Sequence, residues 1–168
     1  MAYVELHCHS NYSFQEGASF IHELLPRAVD LGYPALAITD HDNLCGAMEF
    51  AREARSLGVQ PIIGAEVTMQ GGYHVTLLAE TRQGYGNLCQ LLSEARLTTD
   101  RREPELDPRF LAEHARGLIL LSGCRQGEVP SLAHHGRLSE AQGVIRHYVE
   151  WFGAESVFLE LQQNLVHG

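Results

Sequence analysis

Apolar, β-branched runs alternate along this chain with helix-length amphipathic segments, the pattern of strands and helices taking turns in an α/β fold. The runs predict six strands, at Tyr3–His7, Ala35–Thr39, Pro61–Thr68, Tyr73–Ala79, Leu118–Ser122 and Val157–Leu161. Between them, helices are expected over Ser19–Leu31, with Ser19 as N-cap, then Leu44–Leu57, Gly84–Leu97 and Ser139–Phe152, with shorter ones at Pro108–His114 and Val129–His134. Pro26 removes one hydrogen bond from the first helix, so a kink there or a start near Leu25 is expected. One connection breaks the alternation. Gln70, Gly71 and Gly72 are too few for a parallel crossover, so the third and fourth strands must form an antiparallel hairpin. Folding about Gln70 puts Glu66 opposite His74.

A length of 168 residues suits one domain, and the charged stretch Thr98–Pro108 reads as a surface connection within it. With 45% hydrophobic and 20% charged residues the composition is that of a soluble globular chain. The longest apolar runs fall far short of the ~20 residues a membrane span needs, and the amino terminus lacks a secretory pattern, so a cytoplasmic protein is expected. Cys8, Cys45, Cys89 and Cys124 include no Cys-x-x-Cys pair, which argues against a disulfide framework. A net charge of -9 opposes tight capture of a phosphate backbone by this chain alone.

The chemistry gathers at strand ends. His7 and His9 lie two apart on an extended segment and point to one side, as a pair of metal ligands would. The second strand ends in Thr39-Asp40-His41-Asp42, the third carries Glu66 and the fourth His74. Asp40 is read as a residue orienting an imidazole, and Asp42 as a helix cap or a participant. Mixed imidazole and carboxylate donors favour zinc or manganese over magnesium or calcium. His22, His114, His134, His135, His147 and His167 lack a strand-end partner and are read as ordinary side chains.

The segments LHCHSNYSFQEGAS, ALAITDHDNLCGAMEF, PIIGAEV, HVTLLAETRQGYGNLCQLLSEA, GLILLSGCRQGEV and FLELQ resemble the PHP (polymerase and histidinol phosphatase) domain of bacterial C-family DNA polymerases, the DNA polymerase III alpha subunits. The short loop between Glu66 and His74 is closer to the error-prone paralogues. The resemblance implies a distorted TIM-like (β/α)7 barrel whose cleft holds up to three divalent metal ions, zinc or manganese first and magnesium as the alternative. It implies as ligands His7, His9, His41, Glu66, His74 and Cys124, with Glu16 where the family has an aspartate, and assigns catalytic roles to His7, His9, His41 and Glu66. The family's closing Asp-x-His pair has no counterpart before Gly168, so an amino-terminal fragment of a larger polymerase is expected, its barrel truncated and its polymerase core absent. Such a fragment should self-associate through its exposed edges. The implied function is metal-dependent removal of 3′-terminal nucleotides from DNA, acting with the rest of the polymerase chain in replication or repair synthesis. Two alternatives stand beside it: a structural metal domain bracing the polymerase, and a free-standing phosphoesterase of the histidinol-phosphatase kind.

Overall fold

The computed structural model describes residues 3–100 and 102–162. Among the described residues five strands form one mixed sheet in chain order: β1 (Ala35–Ile38), β2 (Gln60–Met69), β3 (Tyr73–Ala79), β4 (Leu118–Leu121) and β5 (Val157–Phe158). β1 runs parallel to β2 and β4 to β5, while β3 is antiparallel to both its neighbours. The α-helices of the described residues, α1 (Ile21–Asp30), α2 (Ala47–Ser56), α3 (Arg82–Thr98), α4 (Pro108–Glu113), α5 (Glu128–His134) and α6 (Leu138–Phe152), cover the outer side. Among the described residues no helix is long and apolar enough to cross a membrane.

Strand periodicity divides the labour between the two faces of the sheet. Ala65, Val67, Val75, Leu77, Leu118 and Leu120 point outward and pack with Leu88, Leu91, Leu92, Leu111, Val129, Leu132 and Tyr148 of α3 to α6. Leu36 and Ile38 do the same against Ile21 and Leu25 of α1 and Phe50 of α2. Each buried Val, Leu, Ile or Phe among them contributes roughly 1.5–3 kcal/mol. The alternate positions face inward. There Ala37, Leu78 and Leu121 meet Ile62 and Ile119 at one end, and Glu66, His74 and Thr76 are buried at the other.

The expected first strand is reduced to an extended segment. Its one bridge pairs Glu5 with Leu36, Ala37 N and Thr39 N donate to Glu5 O and Cys8 O at 2.9 Å each, and Cys8 N turns aside to the Thr39 hydroxyl at 3.0 Å, which interrupts a regular ladder. The last strand is likewise shorter than expected, ending at Phe158. The first helix starts at Ile21, where Glu23 accepts a hydrogen bond from Phe20 N at 2.8 Å, and runs across Pro26; Ser19 is occupied elsewhere, its carbonyl accepting from Asn11 N at 2.8 Å. The second helix begins only at Ala47, with Gly46 as its N-cap.

The hairpin forms as expected, with a different centre. Both Gly71 (φ 93) and Gly72 (φ 78) take left-handed conformations that a side chain would oppose, and the turn pivots on Gly71. Glu66 therefore lies opposite Thr76, and His74 opposite Thr68. The shift of two residues keeps His74 on the face of Glu66, as a diagonal neighbour.

Candidate metal centre

The inward polar residues converge where β1, β2 and β4 reach their carboxyl ends. Glu66 sits at the centre, 2% exposed. His7 Nε2 lies 3.3 Å from its Oε1, His9 Nε2 3.3 Å from Oε2, His74 Nδ1 3.5 Å from Oε1 and His41 Nδ1 3.7 Å from Oε2. Two triads result, His7–His9–Glu66 and His41–Glu66–His74, and within each the ligand-type atoms lie within 4.8 Å of one another. Glu66 belongs to both.

A second ring of contacts holds these side chains. Asp40, 2% exposed, accepts from Ser10 N (2.7 Å), Ser10 Oγ (2.8 Å) and Ser13 Oγ (2.7 Å). Ser13 Oγ in turn accepts from His41 N at 3.0 Å. Asp40 thus holds the 10–17 turn through Ser10 and Ser13, where its expected role was on an imidazole ring. Gly17 completes that turn: a Cβ there would lie 1.9 Å from Ser10 O. Asp42 adopts φ 51 and caps no helix; its carboxylate accepts from Thr68 N (2.9 Å) and Thr68 Oγ1 (2.7 Å), with His41 Nε2 3.1 Å away. Arg96 of α3 donates to Asp42 O at 2.8 and 3.2 Å.

Glu16 reaches the centre from the exposed side, 2.7 Å from His41 Nδ1 and 3.6 Å from His9 Nδ1. Cys124 stands 3.9 Å from His74 Nδ1, beside the triads. Thr68, a partner of His41, and Glu160, whose Oε1 is 2.7 Å from His7 Nδ1, escaped the sequence reading, and of the two roles read for Asp42 the cap is absent and the place beside His41 is filled. The signal for Glu160 was present in FLELQ, where Phe158, Glu160 and Gln162 share one face. The histidines read as ordinary stay outside the cluster: His114 and His135 bond Phe110 O and Ser131 O on their own helices, and His22 stacks on Phe20. His167 lies outside the described residues.

The electrostatics suit cations. Burial alone would lower the His7 imidazole, yet hydrogen bonds to Glu160 and Glu66 push it up to about 9. His41 is also pushed up to about 9, burial being outweighed by Asp42 and Glu16. Burial would raise Glu66, but the imidazoles of His7, His74 and His9 hold it well below the usual carboxylate range. Burial, then the Glu66 charge, pushes the Cys124 thiol up to about 11. In the ion-free chain protons thus take the places that cations would fill. Among the described residues His9 Nε2, Glu66 Oε1 and Glu160 Oε2 are buried without a hydrogen-bond partner. Such orphaned donor atoms, set around one carboxylate, fit a divalent ion far better than a packed core.

This fold and this cluster place the chain in a class: a model of the PHP domain matches residues 5–164, and the chain belongs to the PHP domain family. It is 44% identical over 184 residues to the error-prone DNA polymerase of Symbiobacterium thermophilum, covering all of this chain and 17% of that one. To the DNA polymerase III subunit alpha of Treponema pallidum it is 38% identical over 178 residues, 98% of this chain and 15% of the relative. The chain spans about a sixth of the length of these relatives. A solved two-domain protein from Bacteroides vulgatus, containing a predicted PHP-like metal-dependent phosphoesterase, aligns with a TM-score of 0.51 and 15% identity over 86% of this chain and 48% of that one; at that identity the likeness concerns the fold.

Proposed function

We propose that residues 1–168 are the amino-terminal part of the PHP domain of a longer C-family DNA polymerase, and that the cluster around Glu66 is a divalent-metal phosphodiesterase centre acting on 3′ ends of DNA. The single observation carrying this reading is the buried Glu66 carboxylate shared by four imidazoles, with Glu66 Oε1 and His9 Nε2 lacking hydrogen-bond partners among the described residues. The identity to polymerase chains, over a small share of their length, supports the parent assignment. The nearness of His7 and Glu160, from the two ends of the sheet, supports a distorted (β/α)7 barrel.

Zinc or manganese suits the mixed nitrogen, oxygen and sulfur donors better than magnesium. His7, His9 and Glu66 would hold one ion, His41, Glu66 and His74 another, with Glu16 and Cys124 at the margins. Bound there, the ions would supply Lewis acidity toward water and a phosphodiester. The chain's own residues then do the positioning. Asp40 fixes the turn bearing Glu16, and Asp42 with Thr68 orients the His41 ring. Glu160 accepts the His7 Nδ1 proton and so leaves Nε2 turned to Glu66.

The test uses the full-length protein loaded with manganese or zinc and a 5′-labelled single-stranded oligonucleotide. Stepwise 3′ shortening that disappears in His41→Ala is the expected result. A fully metallated protein that leaves the oligonucleotide intact would make the ions structural. That second reading draws on the His7–Glu160 contact, which ties the ends of the sheet together.

A further inference from the structure

Phe14 is 85% exposed, more than any other described phenylalanine, tyrosine or tryptophan. A single exposed apolar side chain is ordinary on a protein surface. This one is set apart by its backbone. Ser13 beside it is 1% exposed, with its hydroxyl on Asp40; Glu16 N and Gly17 N both donate to Ser13 O, at 3.0 and 2.8 Å; and Gln15 is held at φ 69, a conformation costly for a side-chain-bearing residue. Asn43 Nδ2 ties down Tyr12 O at 3.1 Å. The turn is fixed on both sides of Phe14, and the ring is left in water. Two residues on, Glu16 contacts His41 and His9, so Phe14 belongs to the same fixed turn as a residue that reaches the metal centre.

We infer that Phe14 is a stacking platform for the base of the nucleotide whose phosphate enters the Glu66 centre, and so a substrate-binding residue that selects nucleotides over simple phosphate esters. The inference rests on the phosphodiesterase reading above. Charge argues for it: with a net charge of -9 the chain lacks the electrostatic hold by which proteins usually grip a phosphate backbone. Stacking needs no positive charge, and because every base offers a π-face it tolerates any sequence. One well-held aromatic ring beside the reacting phosphate supplies what the surface charge withholds. Purine ends should be held more firmly than pyrimidine ends, in proportion to their stacking area.

The experiment compares oligonucleotides ending in an intact adenosine nucleotide or in an abasic one, cleaved by the manganese-loaded full-length wild type, Phe14→Ala and Phe14→Trp proteins. Wild type should prefer the intact end. In Phe14→Ala that preference should fall about tenfold through a raised KM with kcat retained, and Phe14→Trp should restore it. A Phe14→Ala protein that keeps the wild-type preference, or that loses activity equally on both ends, overturns the inference while the phosphodiesterase reading survives. Cleavage of neither end by metallated wild type overturns both.

Discussion

On one side of Glu66, His7 and His9 hang from an extended segment that touches β1 through a single bridge, and His7 leans on Glu160 beyond a two-residue strand. On the other side, His41 follows a regular strand, bridges to Glu66 along the backbone, has its ring on Asp42 and Thr68, and is backed by Asp40 through Ser13 and by Arg96 through Asp42 O. The ligand types are alike; the supports are not. One flank is a preformed cradle held by buried carboxylates, the other a meeting of two chain segments that an ion would itself help to hold. The ions should therefore differ in role, with the His41 flank binding through preorganisation and the His7 flank coupling binding to folding.

The largest effect comes from removing what the flanks share. Glu66→Gln leaves each triad one charge short, and elemental analysis after desalting should find both ions lost, with 3′-end shortening gone. Retention of one ion would show that the flanks do not depend on a common carboxylate. Next is Asp40→Asn. An amide offers one acceptor oxygen where Asp40 receives three hydrogen bonds, and turns an N–H₂ toward donors, at a cost of about 3 kcal/mol. Urea denaturation of the ion-free protein should read this loss, whereas Glu160→Gln on the other flank should cost far less. Comparable losses would erase the contrast between cradle and meeting point.

Arg96→Met tests the cradle more gently. Releasing Asp42 O from the guanidinium should weaken the ion at His41 about tenfold while sparing the one at His7, and Arg96→Lys should recover part of it; isothermal titration with manganese separates the two events. The smallest effect is a pH dependence. His7 and His41 are raised from 6.5 to about 9 in the ion-free chain, so their contribution to stability is complete below about pH 6.5 and is lost as pH rises through about 9. Ions need neutral imidazoles, which reverses the sign for binding. Melting temperatures of chelator-treated protein should fall by a few degrees across that window, while manganese-loaded protein holds or gains. Parallel curves would contradict the raised imidazoles.

Much of this was legible in the sequence because strand ends concentrate function. His7 and His9 announce themselves by spacing, His41 by its place after an apolar run, and the hairpin by three residues too short to cross over. The misplacements have local causes. Left-handed Gly71 and Gly72 moved the register by two, and because the pleat repeats every two residues His74 kept its face. Ser19 was a sound N-cap by type, but its carbonyl belongs to the 10–17 turn. Neither Glu160, whose face FLELQ marks, nor Arg96 could be matched to its partner. Each meets its partner across a long stretch of chain, His7 to Glu160 spanning 153 positions, and only the curvature of the sheet and the packing of α3 bring them together.

The central claim is that one buried carboxylate joins two metal positions. Electron paramagnetic resonance of the fully manganese-loaded protein tests it directly, since two ions held by one carboxylate would be magnetically coupled. The account predicts a coupled signal that Glu66→Gln abolishes and that His74→Ala converts to the spectrum of an isolated ion. Fully loaded wild-type protein showing only uncoupled manganese would contradict it.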